Sequence, residues 1–170
     1  TSLPSRHGIG DLGEGAVQFL EFLDRADQSL WQVCPLGPTT AAAGHSPYQT
    51  LSGFAGNPLL IDLDELVPPP GVAADETNYE AVQPFKRDRL RTAFERFRES
   101  PADGDRAAFE QFREREAAWL EEYTTFAALR DRHDGAAWTD WPAPVRDHEP
   151  EAVAAAREEL ADEVAFRAFC

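Results

Sequence analysis

Lysine is nearly absent from this chain. Lys86 is the only one, and every other basic side chain is an arginine. Basic charge as a whole is scarce: 16 Lys and Arg stand against 31 Asp and Glu, giving a net charge of −15. Such a surface repels phosphodiester backbones and anionic lipids, so neither nucleic acid nor a membrane is expected as a partner. It fits a protein kept soluble at high salt, where screening removes the self-repulsion of like charges. GC-rich codon usage, which also favours arginine over lysine, is the alternative. Cysteine is scarce too, with only Cys34 and Cys170, far apart and outside any paired motif. Neither a disulfide framework nor a thiolate metal site is expected, and the compartment reads as cytoplasmic. No apolar run reaches 18 residues, so no membrane-spanning helix is expected. No charged-then-apolar opening suggests a signal peptide. Methionine is missing altogether. The chain starts Thr-Ser-Leu-Pro and stops at Cys170 directly after a helical pattern, and both ends read as those of a fragment.

Recognisable catalytic signatures are also missing. His7, His45, His133 and His148 are scattered, without metal-ligand spacing. There is no GxSxG and no P-loop, and GIGDLG departs from GxGxxG in its spacing. The carboxylates are many, but nearly all fall on amphipathic helical patterns, where a solvated face laced with i,i+4 pairs is the default. A retaining glycosidase needs two carboxylates on facing elements, about 5–5.5 Å apart. No such pair can be nominated here.

What is present centres on residues 31–62, WQVCPLGPTTAAAGHSPYQTLSGFAGNPLLID. WQVCPL is a short apolar run bounded by Gly and Pro, and it reads as a fully buried strand of a parallel sheet. Trp31 and Cys34 are expected in the core. A long loop of small residues and turn formers follows, at the end of the strand where α/β folds place ligands. The hydroxyls of Ser46 and Thr50, the amide of Gln49, the ring of Tyr48 and the imidazole of His45 suit a sugar. By composition alone an ordinary surface loop reads the same way.

Before this stretch, Gly13 to Ala26 shows Ala16, Phe19, Leu20 and Leu23 on one helical face, with Asp11 placed as its cap. After it, VPPPGVAADETN breaks the chain. Helical patterns then dominate. Leu90, Ala93, Phe94 and Phe97 form one stripe, and Phe109, Phe112, Trp119, Leu120, Tyr123, Phe126 and Ala127 form a longer one. HDGAAWTDWPAPVRDHEP reads as a loop anchored by Trp138 and Trp141. A last helix runs from about Glu151 to Phe169. Helix followed by buried strand is an αβ unit, as in a barrel or a doubly wound sheet.

The order and spacing of TSLPSRHGIGDLG, WQVCPLGPT and SPYQTLSGFAGNPLLIDL resemble the N-terminal part of the amylomaltase family, 4-α-glucanotransferases of the α-amylase clan. Weaker likeness runs on through FREREAAWLEEYTTFAALRDRHDGAAWTDWP and LADEVAFRAFC. The resemblance implies an α/β fold, a partial (β/α)8 TIM barrel with an inserted helical subdomain. Residues 1–67 would supply the first part of the barrel, 68–150 the inserted helices, and 151–170 a helix leading to a third strand. WQVCPL would be the second strand. It implies transfer of α-1,4-glucan segments between maltooligosaccharides, or to glucose, by retention through a covalent intermediate, with no metal or organic cofactor. The family's catalytic carboxylates lie on later strands, so no catalytic residue is expected before Cys170. Ser46 and Tyr48 match positions that contact glucan. Gln49 and Asn57 match the motif either as contacts or as turn supports. His45 stands where the family often has an acidic residue. Ala43 stands where some members have a Tyr of a secondary glucan site, which removes the ground for inferring that site here. A non-catalytic glucan-binding module, a helical interaction protein and a hydrolase with little transferase activity are the rival readings.

Overall fold

The turn-rich opening gives way to helix α1, Glu14–Arg25, at the position the apolar spacing indicates. The structure is a computed structural model, and it describes residues 3, 7–63 and 77–170. These fall into two units, Thr1–Leu90 and Arg91–Cys170. Most of the proline-rich break lies outside the described residues. Among the described residues the regular elements are all helical: α1, α2 (Tyr79–Glu99), α3 (Asp105–Arg115), α4 (Ala117–Arg132), α5 (Ala143–Arg146), α6 (Pro150–Glu159) and α7 (Ala161–Phe169), with short 3-10 turns between some of them. The helical side of the α/β expectation is met, and the strand side is not.

In the first unit the expected strand Trp31–Leu36 is irregular, and its side chains are largely exposed. Cys34 is exposed rather than a core residue, and Trp31 is half-buried with its edge on Phe19 at 5.0 Å. The reason is mutual dependence: a central strand is held by ladder bonds and side chains of neighbours on both sides, and the described residues supply none. Leu30, Val33 and Leu36 are left uncovered, as are Val17, Leu20 and Phe22 of α1. Only Ala16 of the α1 stripe is fully buried.

Asp11 does not cap α1, which starts behind Gly13 without a side-chain cap. Its Oδ1 accepts the Gly13 N–H at 3.3 Å, and the residue is buried beside Lys86. The core of this unit is Ile9, Leu59 and Val82, with Tyr79 against it. Tyr79, Val82 and Lys86 share one face of α2, at i, i+3 and i+7. Asn78 caps that helix, its Oδ1 accepting the Ala81 N–H at 3.0 Å, and the Asn78 N–H donates to the Gly8 carbonyl at 2.9 Å. The solitary lysine is fully buried. Its Nζ donates to the carbonyls of Leu59 and Ile61 at 2.8 and 2.7 Å, and Asp11 Oδ2 lies 3.8 Å away. Burial pushes the amine below its ordinary pKa, and the charges of Asp11 and Asp62 oppose that.

In the second unit an aromatic cluster joins α2, α3 and α7. Phe169 lies 5.5 Å from Phe94 and 5.2 Å from Phe97, and Phe97 meets Phe109 edge-on at 5.3 Å. Arg91 stacks over Phe166 at 3.9 Å while pairing with Asp162 and Glu163. The expected long stripe is split at Glu116, whose carboxylate takes the Trp119 Nε1–H and the Arg115 Nε–H, each at 2.8 Å. The expected loop after His133 contains α5 and a 3-10 turn. Trp141 anchors it, buried against Phe126 and His133, whereas Trp138 is 55% exposed. The last helix is two, α6 and α7, meeting at Leu160.

Replacing Lys86 by Met should lower stability by about 3–5 kcal/mol, because two carbonyls and a buried carboxylate lose a charged partner together. Urea unfolding of the variant reads this directly. Lys86→Met combined with Asp11→Asn should lose less than the sum of the single changes, because the two groups interact.

Candidate functional site

The loop that follows Leu36 is drawn closed at its base. The Asn57 N–H donates to the Leu36 carbonyl at 2.8 Å and the Leu51 N–H to the Pro38 carbonyl at 2.9 Å. Gly37 makes that closure feasible: a Cβ there would sit 2.7 Å from the Ser52 carbonyl oxygen and 2.9 Å from Thr50 Cβ. Inside the loop, Thr40 caps the 3-10 turn Ala41–Ala43 through its Oγ1, 3.3 Å from the Ala43 N–H. Beyond the loop, Asn57 caps the next turn, Pro58–Leu60, with Oδ1 3.0 Å from the Leu59 N–H. An Asn before Pro at the start of a turn is the sequence signal for that role. The structure therefore makes Asn57 a buried turn support.

The two nominated contact residues sit at the outer side of this loop. Ser46 is half-buried, and its Oγ is 3.4 Å from the Tyr48 N–H. Tyr48 is 76% exposed. Its hydroxyl lies 3.6 Å from Cys34 Sγ, and that partner, more than burial, raises the phenol's pKa. An exposed ring with one edge tied down presents a free face, the geometry needed to pack on a pyranose. Gln49 and Phe54 are exposed in the same loop.

Beside the loop is a cavity of about 310 Å3. Trp31, Thr39, His45, Asn57 and Tyr79 line it together with Asp11. Pro47 reaches it, but Ser46 and Tyr48 do not. The structure thus separates the exposed tip from an inner wall that the sequence pattern did not reveal. Tyr79 arrives from α2, 34 positions after His45 by their numbers, and only the fold brings the two together.

A family model described as 4-alpha-glucanotransferase (Glyco_hydro_77) matches residues 1–170. This chain belongs to the 4-α-glucanotransferase family. It is 46% identical to the 4-alpha-glucanotransferase of Thermus thermophilus, with 99% of this chain and 35% of that one aligned. It is 40% identical to the 4-alpha-glucanotransferase of Synechocystis sp., again with 99% of this chain and 35% of the relative. Among solved structures, amylomaltase from Streptococcus agalactiae in complex with acarbose matches with a TM-score of 0.87 at 28% identity, over 99% of this chain and 36% of that one. The chain therefore spans about a third of the length of these 4-α-glucanotransferases, and the match includes the loop described above.

Gly37→Ala should destabilise the chain by about 1–3 kcal/mol, because the new methyl meets backbone that has to move. Gly53 faces open space, and Gly53→Ala should stay within about 0.5 kcal/mol of the parent. Thermal midpoints of the two variants check the contrast.

Proposed function

We propose that this chain contributes one wall of the glucan cleft of a 4-α-glucanotransferase that moves α-1,4-glucan segments between maltooligosaccharides with retention. The observation that carries the reading is the family match across all 170 residues. The exposed, edge-tethered ring of Tyr48 beside Ser46 supports it locally, because a loop of this form suits a sugar face and its hydroxyls. In this reading Tyr48 packs on a sugar ring and Ser46 offers a hydroxyl, and neither performs the bond exchange. The bond exchange belongs to a pair of carboxylates carried by the remainder of a family-length chain. One acts as nucleophile and the other as acid and then base.

The same reading accounts for the apolar surface left open in the first unit. Leu30 is 89% exposed, and Val33 and Leu36 are 47% and 43% exposed. Apolar side chains spaced along one short segment are what the neighbouring strands of a (β/α)8 barrel would cover. A helical interaction module leaves that surface, and the polar loop beside it, without a role.

Incubated alone with maltotriose, the 170 residues should leave it unchanged. Joined to sequence that completes a family-length chain, they should yield glucose together with longer maltooligosaccharides. Chromatography showing only shortened products from the completed protein would instead indicate a hydrolase.

In the completed protein, Tyr48→Ala should lower transfer efficiency by about 1–3 kcal/mol of transition-state stabilisation, roughly 5- to 150-fold in kcat/KM. Unchanged kinetics would return Tyr48 to an ordinary surface side chain.

A further inference from the structure

The sequence pattern puts Cys34 in the core, and the fold puts it in solvent. Residues 33–36 read Val-Cys-Pro-Leu, and Cys34 is the one side chain among them able to donate or accept a hydrogen bond. The loop that follows folds back towards it. The closures at Leu36 and Pro38 return the chain, and Cys34 and Pro47 come to line the same cavity. The next residue, Tyr48, then sets its hydroxyl 3.6 Å from Cys34 Sγ, a hydrogen-bonding distance for the larger sulfur atom. Thiol and phenol can each donate and accept. The contact therefore stands whichever of the two supplies the proton.

That tie matters because packing does little to hold the ring, which is 76% exposed. The backbone beneath it is fixed. The Tyr48 N–H faces Ser46 Oγ at 3.4 Å, and the Gln49 N–H donates to the Ser46 carbonyl at 3.1 Å. What remains is rotation about the Cα–Cβ bond, which swings the whole ring among staggered positions. The hydroxyl travels furthest in that swing. A bond at the hydroxyl therefore selects one position, and it does so without covering a ring face.

We propose that Cys34 is a positioning residue for Tyr48: its Sγ holds the phenol in one orientation, so that the ring meets a glucan already placed. This rests on the reading of Tyr48 as a sugar contact given above. Binding that has to immobilise a free side chain is weakened by the freedom lost. A ring tethered at its far end has given up that freedom beforehand. Cys34 itself neither touches the sugar nor takes part in the bond exchange, and it acts through Tyr48.

Kinetics of maltotriose disproportionation by the completed protein test the proposal. Cys34→Ala should lower kcat/KM by about 2- to 10-fold, the cost of ordering one side chain on binding. Cys34→Val, also without a polar atom, should behave alike and serves where Cys34→Ala does not fold. Cys34→Ser keeps a group that donates and accepts, and should recover most of the loss. In the Tyr48→Phe background, Cys34→Ala should cost nothing further, because the hydroxyl it served is gone. Parent-like kinetics in Cys34→Ala, an equal loss in Cys34→Ser, or the same loss in both backgrounds would each overturn the proposal. Tyr48→Ala keeps the two readings apart. If it leaves kcat/KM at the parent value, the glucan contact fails and the proposal with it. If Tyr48→Ala is impaired while Cys34→Ala is not, the contact stands and the positioning role alone fails.

Discussion

A buried ammonium has to be surrounded by oxygen, and that requirement organises the first unit. Lys86 projects from α2 and ends on the Leu59 and Ile61 carbonyls, with Asp11 close by. The two carbonyls belong to the 3-10 turn Pro58–Leu60 and the residue that caps it, and the carboxylate to the opening segment. Short glycine-rich segments have little secondary structure to pair their backbone groups, and a buried unpaired carbonyl is unfavourable. A single cation reaching over from a helix supplies two such carbonyls and neutralises a carboxylate at the same point. The opening loop is tied in as well, because the Leu12 N–H donates to the Leu60 carbonyl at 2.9 Å. A fully enclosed point surrounded by carbonyl oxygens suits a compact ammonium.

The effect of that anchor extends to the candidate site. Leu59 lies in the turn that Asn57 caps and Ile61 closes it, and Asn57 in turn touches Thr39 and the Leu36 carbonyl. The inner end of the polar loop is therefore tied to α2 by hydrogen bonds through Lys86 on one side and by the stacking of His45 on Tyr79 on the other. The outer end carries Tyr48, Gln49 and Phe54 in solvent. A fixed base with exposed side chains at its tip is the form the proposed glucan wall requires, since binding would then order few side chains.

How much of this was legible depended on whether the signal was local. The helix at Glu14–Arg25 was readable because its spacing is a property of consecutive residues. The loop motif was readable because Ser46, Pro47, Tyr48 and Gln49 are contiguous. The strand expected at Trp31–Leu36 is not formed among the described residues for the opposite reason. Its apolar run reports what the segment would do against partners, and without them Leu36 and Val33 stay in solvent. Asp11 read as a cap because it precedes a helix, yet a buried lysine 75 positions away, by their numbers, has the stronger claim on it. The splits at Glu116 and Leu160 were hidden for a different reason: neither Glu nor Leu is a helix breaker, and the apolar spacing runs across both positions.

The pair of histidine-bearing contacts in the first unit shows what residue counting cannot. His7 and His45 are both close to α2 rings, His7 near Phe85 at 6.1 Å and His45 on Tyr79 at 3.8 Å. By sequence they are two of four scattered imidazoles. His7 is deeply buried beside the core, where a histidine serves as a packed ring. His45 is only partly buried, lines the cavity, and has Nδ1 bonded to the Thr39 hydroxyl. The two differ in where the fold puts them: His7 in the packed interior, His45 on the wall of the cavity beside the polar loop. That places His45 at the base of the loop, where its ring joins Thr39 to a side chain of α2.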